Sequence, residues 1–263
     1  MMLTSEAQDA PRPALPEQAA TIAMSCRVRL ARNLAGERFP DWATERDRER
    51  VLNAVREALS AEAPELRVTP VAGVEEQDRD MLCESHLISK ELLERAAGGG
   101  VAVAKDGSVC VMVNEEDHLR IQTILPGLQL EEAWRIADRA DDLLEEHLDY
   151  AYCEEKGYLT CCPTNVGTGM RASVMLHLPG LIAAKQAGKI FEALSQLGLV
   201  VRGLYGEGTE AAGNIYQISN QITLGQKEED IVSNLATVAK QIIEKEMEIR
   251  RFIWRETPML LKD

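Results

Sequence analysis

Residues 101–113 read Val101-Ala102-Val103-Ala104-Lys105-Asp106-Gly107-Ser108-Val109-Cys110-Val111-Met112-Val113. Two short apolar runs flank Lys105-Asp106-Gly107, and a glycine-containing turn between such runs is typical of a β-hairpin. The second run leads directly into a polar cluster, Asn114-Glu115-Glu116-Asp117-His118-Leu119-Arg120. The end of a buried strand fixes the side chains that follow it, and acid–base chemistry depends on position. This cluster is therefore the first candidate site.

The rest of the chain alternates strand-like runs with amphipathic stretches. Apolar residues at helical spacing predict helices over 44–61, 130–148, 181–197 and 228–255, and a helical stretch from Leu82 to Leu92. Short apolar runs predict strands over 65–71, 119–125, 158–162, 171–178, 199–204 and 214–220. Hairpin-linked strands with helices in separate blocks predict an α+β fold, a largely antiparallel β-sheet flanked by helices, in one domain.

Composition narrows the class of protein. The 263 residues suffice for one sizeable core, and the formal charge of −14 argues against direct nucleic acid binding. No stretch approaches the ~20 apolar residues of a membrane span. Residues 1–20 have no signal-peptide pattern, so we expect a flexible leader there. Six cysteines without a CxxC pair predict reduced thiols and a cytoplasmic location.

Two arginines near the start of the chain suggest an anion site. In an extended segment Arg27 and Arg29 share one face, which places two guanidinium groups side by side. They would repel each other unless a polyanion such as the phosphates of a nucleotide lay between them. The alternative is an ordinary pair of structural ion pairs.

Three further polar clusters interrupt apolar surroundings. Ser89, three residues after His86, predicts a helix N-cap. A lone histidine such as His86 is more typical of packing or capping than of catalysis. Cys162, a candidate reactive thiol, is followed by a glycine-containing turn and then by Arg171. Arg202 is followed by Glu207, which lies between two glycines. Neither GxxxxGK[ST] nor GxGxxG occurs in the sequence, so neither a P-loop nor a dinucleotide fold is indicated.

Together these clusters resemble the catalytic domain of the phosphagen kinase family. The matching segments, in the order of that family, are Ser25 to Leu30, His86 to Ser89, Val113 to Arg120, Cys161 to Val174 and Arg202 to Gly208. The resemblance covers roughly residues 21 to 250 and implies a catalytic domain over 21–257. It implies phosphoryl transfer from ATP to a guanidinium group.

Within that family the chain is most similar to the bacterial protein-arginine kinase branch. The arginine pair follows only a short leader, so we expect that the helical domain which encloses a small substrate in creatine and arginine kinases is absent. An open site would accept an arginine side chain on a protein. A kinase of free, arginine-type guanidino compounds is the alternative. Because the chain stops at Asp263, we expect 258–263 to be a truncated tail without the C-terminal regulatory domain.

The resemblance implies a role for each motif residue. Glu116 would be the catalytic base, Glu207 its orienting partner, and Cys162 a thiol of lowered pKa that tunes the guanidinium. The implied nucleotide side comprises Arg27, Val28, Arg29, His86, Arg120, Arg171, Ala172, Ser173, Arg202 and Gly203. Mg²⁺ would arrive on the ATP, without metal ligands from the protein. Glu115, Asp117 and His118 would support the site, and Cys161 would face the core from a strand.

Two other classes of function remain open at the sequence level. A cysteine-dependent guanidine hydrolase or deiminase would use Cys162 as nucleophile and needs a nearby base, for which His177 is the nearest histidine in sequence. A non-catalytic nucleotide-binding regulator is the other. The resemblance itself implies protein substrates with accessible arginines, a zinc-binding activator, a heat-shock repressor as substrate, and a Clp unfoldase–protease that degrades marked proteins under stress.

Overall fold

The computed structural model describes residues 22–63, 65–94, 97–203 and 212–256. The predicted leader, the predicted tail and Glu207 lie outside the described residues. No described helix is long and apolar enough to cross a membrane.

The described strands form one large sheet and one small ribbon. Their bounds are β1 (Ala23–Arg32), β2 (Thr69–Pro70), β3 (Gly100–Val103), β4 (Val109–Val113), β5 (Leu119–Pro126), β6 (Tyr152–Cys153), β7 (Gly157–Tyr158), β8 (Met170–His177), β9 (Leu199–Gly203) and β10 (Ile215–Asn220). Eight of them follow the order β2-β3-β4-β5-β1-β8-β10-β9, while β6 and β7 form the ribbon. Every named pair is antiparallel, so the predicted sheet type is confirmed.

The opening hairpin forms where the sequence predicts it. β3 and β4 pair with Ala102 opposite Val111. The turn contains Gly107 at φ +68°, a left-handed conformation that glycine adopts without strain. β5 continues the meander and pairs with both β4 and β1.

The helices cover the sheet. They are α1 (Glu45–Glu62), α2 (Glu76–Glu84), α3 (Lys90–Glu94), α4 (Leu130–Glu145), α5 (Pro179–Ala183), α6 (Ala187–Gln196) and α7 (Glu228–Glu256). Thr44 caps α1 reciprocally with Asp47, since each side chain bonds the backbone N–H of the other. The α4 and α7 helices pack on β1 and β8 over the main core.

Two predicted helices are each interrupted. The stretch from Leu82 to Leu92 is two short helices because His86 takes a left-handed φ of +57° between them. The predicted helix 181–197 divides into α5 and α6 because Lys185 does the same at φ +55°. Apolar spacing alone does not reveal a single left-handed residue.

Two predicted strands are much shorter than expected. The run 65–71 contributes only Thr69–Pro70, since Pro70 has no N–H to donate and a 3₁₀ turn follows over Val71–Gly73. The run 158–162 pairs only at Gly157–Tyr158. Beyond it the backbone bonds to loops, with Leu159 N–H donating to the Ala151 carbonyl and Cys161 N–H to the Asp117 carboxylate.

The two faces of the sheet differ in character. On β1, Val28 and Leu30 are fully buried in the main core, whereas the alternate residues Arg27 and Arg29 are only partly buried on the opposite face. A smaller apolar cluster, which includes Leu92 of α3, covers that opposite face only at β3 and β4. The middle of this face is therefore left for polar side chains.

Candidate active site

Five arginines from four strands lie on this open face. Arg29 of β1 pairs in register with Arg171 of β8, and Arg27 pairs with Ser173. On the other side of β1, Ala31 lies opposite Arg120 of β5. Residues paired across antiparallel strands share a face, so these guanidinium groups point the same way.

The fifth arginine reaches the same face through β10. Gln217 of β10 pairs with Met175 of β8 and with Arg202 of β9. Met175 has the same parity on β8 as Arg171, so Arg202 lies on the arginine face as well. The sheet thus assembles all five arginines that the sequence singled out, across more than 170 positions of the chain.

Four of the five have no anionic partner among the described residues. Arg120 forms an ion pair with Glu115 at 2.5 Å, whereas no carboxylate of the described ranges pairs with Arg27, Arg29, Arg171 or Arg202. Burial, with the charges of Arg120 and Arg171, lowers the pKa of Arg27 to about 10. Burial and the neighbouring arginines hold the pKa of Arg29 well below its ordinary value.

This arrangement is electrostatically unfavourable in the protein alone. Like charges brought together out of water destabilise each other unless a counter-charge joins them. Burial and Arg202 likewise lower the pKa of Arg171, against the opposing influence of Cys162. The face therefore has the chemistry to receive a multiply charged anion, because guanidinium groups bind phosphate oxygens through paired N–H donors.

Two cavities adjoin the arginines. One of about 160 Å³ is lined by Arg171 and Arg202 together with Thr164, Asn165 and Gln221. The other, of about 70 Å³, is lined by Arg27, His86, Ser173 and Gln217 among others. Both cavities include residues of β8, Arg171 in the first and Ser173 in the second. Sequence reasoning missed Gln217 of β10 and Gln221, which follows that strand, because a single polar residue on or after a strand carries no distinctive pattern. Asn165 lies in the matching segment Cys161 to Val174 but was given no role there.

Some predicted nucleotide-side residues do not present side chains to this face. Val28 and Ala172 are fully buried in the main core, so neither side chain is available to a nucleotide. The strand period of two explains their burial, since each lies between residues of the arginine face. Their assignment to the nucleotide side stays a prediction. Gly203 is the last residue of β9 and pairs with Tyr216. The backbone carbonyl of His86 accepts a hydrogen bond from Gln122 Nε2 at 2.7 Å.

Nearly every residue of the polar loop after β4 forms hydrogen bonds that hold the loop in place. Asn114, at φ +59°, donates from Nδ2 to the carbonyls of Arg48 and Gly98. Asp117 accepts from Asn33 Nδ2 at 2.6 Å and from the Cys161 N–H at 2.7 Å. The sequence expectation that Asp117 supports the site agrees with these contacts.

His118 fixes the end of the same loop. It is fully buried, and its Nδ1 accepts from the Leu34 N–H at 3.0 Å. Its Nε2 therefore carries the proton and donates to the Arg38 carbonyl at 3.0 Å. Burial lowers the pKa of His118, which keeps the imidazole neutral.

Glu115 and Glu116 are adjacent but have opposite environments. Glu115 is buried and accepts from Ser89 Oγ and Arg120 Nη1, both at 2.5 Å. Burial would raise the pKa of Glu115, but Arg120 and Ser89 lower it overall. Glu116 is exposed. Partial removal of its carboxyl from water, followed by the charges of Asp117 and Glu115, raises the pKa of Glu116. A carboxylate of raised pKa held by a rigid loop has the properties of a general base.

Cys162 lies at the start of the next loop. Its Sγ is 3.0 Å from Thr164 Oγ1, and the loop is tied to Thr223, whose Oγ1 lies 2.7 Å from the Val166 carbonyl. Cys161 is not in a strand and does not face the core, contrary to the sequence expectation. Its N–H binds Asp117, so the cysteine loop and the Glu116 loop are directly joined. The role expected for Cys162 stays a prediction.

The geometry speaks against the hydrolase alternative. His177 lies six residues beyond Arg171 on β8, about 20 Å further along the strand at ~3.3 Å per residue. Arg171 is the neighbour of Cys162, so His177 is far from the thiol that it would need to activate. The role assigned to Glu207 stays a prediction, since that residue lies outside the described ranges.

Comparison with known proteins identifies the family of this chain. The family model described as ATP:guanido phosphotransferase, C-terminal catalytic domain, matches residues 48–249. The protein-arginine kinase of Pelotomaculum thermopropionicum is 53% identical over 247 residues, which cover 92% of this chain and 69% of that relative. The chain belongs to the ATP:guanido phosphotransferase family.

Other members of this family extend the likeness. The protein-arginine kinase of Moorella thermoacetica is 50% identical over 252 residues, covering 93% of this chain and 71% of that protein. Among solved structures, a taurocyamine kinase from Schistosoma mansoni has a TM-score of 0.77 at 29% identity over 92% of this chain and 36% of that chain. A lombricine kinase has a TM-score of 0.78 at 25% identity over 93% of this chain and 74% of that chain.

Proposed function

We propose that this guanidino phosphotransferase is a protein-arginine kinase that transfers the γ-phosphoryl group of ATP to arginine side chains of proteins. The observation that carries the proposal is the set of unpaired arginines on one sheet face, next to an exposed glutamate of raised pKa. The first feature suits the triphosphate, and the second suits a guanidinium acceptor.

The acceptor must lose a proton before or as it attacks. A guanidinium has a pKa above 12, so its nitrogen is not nucleophilic at neutral pH. The Glu116 carboxylate takes the proton while a nitrogen–phosphorus bond forms and the bond from the γ-phosphorus to the β-phosphate oxygen breaks. ADP leaves with the electron pair of that bond. A carboxylate also holds the fork of the guanidinium in a defined orientation.

The donor side stabilises charge. Phosphoryl transfer spreads negative charge over the transferred group, and catalysis consists mainly of positioning and electrostatic stabilisation. Arg27, Arg29 and Arg171 supply fixed positive charge without a P-loop, and Arg120 is aligned by Glu115. The described residues contain no group of three or more His, Cys, Asp or Glu suited to hold a metal ion. Delivery of Mg²⁺ by the nucleotide remains our proposal.

A protein acceptor is favoured over a free guanidino compound by two observations. The relatives at 50–53% identity are named protein-arginine kinases, whereas the taurocyamine and lombricine kinases reach 25–29%. In addition, Glu116 is exposed at the surface of its loop, where a side chain of another protein can reach it.

The test is to incubate the chain with Mg-ATP and either an unfolded arginine-containing protein or free L-arginine. We expect acid-labile phosphate on arginine residues of the protein, located by mass spectrometry, and little product from the free amino acid. A matched protein in which lysine replaces every arginine serves as the control. Phosphate on free arginine alone would overturn the protein-substrate proposal and support the small-molecule alternative.

Further parts of the proposal rest on the family resemblance. They are an activator protein, a Clp unfoldase that receives the marked proteins, a part in the stress response, and a cytoplasmic location. Mass spectrometry of phosphoarginine in cells with and without the gene would identify the physiological substrates.

A further inference from the structure

The turn from Phe39 to Trp42 lies against the Glu116 loop. We propose that this turn is a docking platform for the polypeptide around the acceptor arginine, with the Trp42 indole as its main contact. The inference rests on the proposed function and deepens it, because it names a determinant of protein over small-molecule acceptors.

One hydrogen bond closes the turn, and two contacts fix it to the loop that bears the base. The Trp42 N–H donates to the Phe39 carbonyl at 2.9 Å, which closes the turn. His118, two residues after Glu116, donates from Nε2 to the Arg38 carbonyl at 3.0 Å. The rings of Phe39 and His118 meet edge to face, with centroids 6.1 Å apart. The turn and the base thus belong to one rigid unit.

Trp42 points out of this rigid unit into solvent. The residue is 72% exposed, although its backbone is held in place. The hydrogen bond to Phe39 lies before it, and the capped helix α1 begins three residues later at Glu45. Tryptophan is mostly buried in folded proteins and is enriched in binding hot spots. An exposed indole on a fixed turn beside a catalytic loop provides contact area at little cost in conformational entropy.

The charge beside Trp42 matches a cationic polypeptide. The carboxylate of Asp41 contributes to the raised pKa of both Glu116 and Cys161, so it lies close to the acceptor end of the site. Asp41 and Glu116 together make this border of the site acidic. Arginine and lysine side chains bind both to carboxylates and to the face of an indole. The arginine-bearing segment of a protein substrate therefore fits this surface.

A small acceptor has no atoms to place on the turn. Free arginine would fill only the guanidinium position at Glu116, whereas a polypeptide continues on either side of its arginine. Loss of Trp42 should consequently weaken the binding of protein substrates selectively and leave ATP binding unchanged.

The test compares Trp42→Ala with the wild type on an arginine-containing peptide and on ATP. We expect roughly a 5–30-fold rise in KM for the peptide, the range of one cation–π contact with partial desolvation, with kcat and the KM for ATP unchanged. Trp42→Tyr, which keeps an aromatic face, should recover most of the affinity. Trp254→Ala is the matched control, because Trp254 is 65% exposed near the end of α7 and should have no effect.

A binding measurement separates this inference from the proposed function. Peptide added without ATP should change the tryptophan fluorescence of the wild type and of Trp254→Ala but not that of Trp42→Ala. Equal peptide KM and equal fluorescence response in Trp42→Ala and the wild type would overturn the docking platform while protein phosphorylation stands. Failure of the wild type to phosphorylate any protein would overturn the proposed function instead, and the fluorescence titration would still decide whether Trp42 binds peptide.

Discussion

At the scale of single residues, the loop after β4 shows how one carboxylate among several becomes the reactive one. Glu115 is neutralised by Arg120, and Asp117 is occupied by Asn33 and Cys161. Glu116 remains exposed with its pKa raised. The family resemblance implied this division of roles but not the contacts that produce it, because the partners Asn33 and Cys161 are distant from the loop in the chain.

The pH dependence of the reaction should report Glu116. A base must be unprotonated, so kcat/KM should fall as the pH drops through the raised pKa of this carboxyl. The acidic limb of a pH–rate profile should therefore lie above the ordinary glutamate pKa of ~4.3. ATP affinity measured over the same range controls for titration of the nucleotide. A limb at or below the ordinary value would contradict the assigned environment.

The unpaired arginines should lower the stability of the folded protein when no nucleotide is bound. Bound nucleotide should remove this destabilisation. Replacing Arg29 by methionine removes a cation whose pKa burial and neighbouring arginines already depress. We expect Arg29→Met to raise the free energy of unfolding by roughly 0.5–2 kcal/mol without nucleotide. It should weaken ATP binding by roughly 2–5 kcal/mol. Denaturant titration and calorimetry measure the two quantities.

The control for that trade-off is Arg139→Met. Arg139 is exposed on α4, and its only described ion pair, with Glu132, spans 4.0 Å. Its replacement should change neither the free energy of unfolding nor the affinity for ATP appreciably. Destabilisation by Arg29→Met in the absence of ATP would show that the arginine face is satisfied within the protein itself.

At the scale of elements, strands were predicted well where alternation and turn chemistry agree, as in the hairpin of β3 and β4. Prediction failed where backbone groups bond to distant side chains, as at Cys161, or where one residue takes a left-handed conformation, as at Lys185. Val28 and Ala172 show a different limit, since a matched motif marks positions but does not say which face of a strand each residue occupies.

Helix α7 contains an anchor that its apolar pattern does not reveal. Glu246 is fully buried and accepts hydrogen bonds from the N–H groups of Gly180 and Leu181, both at 2.8 Å. It also accepts from Arg250 Nε at 2.7 Å. The carboxylate thus joins α7 to the first turn of α5.

Removing this anchor should be costly. Glu246→Ala leaves two buried N–H groups and Arg250 Nε without their acceptor, and we expect a loss of roughly 3–5 kcal/mol in the free energy of unfolding. Glu244→Ala, at an exposed position of the same helix, should change it by less than about 0.5 kcal/mol. Chemical denaturation of both variants provides the measurement. Equal stability of the two would show that α5 does not depend on this carboxylate.

At the scale of the whole molecule, the antiparallel sheet creates the site. Arg27 and Arg202 lie far apart in sequence, yet β1, β8, β10 and β9 bring them to one face. Local patterns predicted the strands and the pairing of Arg27 with Arg29 on one face. The order of strands required long-range pairing, which no local pattern specifies, so the convergence of five arginines was implied only by family resemblance.

The account divides the site into an arginine face for the triphosphate and a carboxylate loop for the acceptor. The most direct test is to measure ATP binding and phosphoryl transfer to protein arginine in the wild type and in Glu116→Gln. We predict nearly equal ATP affinity and a transfer rate at least ~100-fold lower in the variant, as expected for loss of a general base. Loss of ATP binding in Glu116→Gln, or transfer at the wild-type rate, would contradict this division.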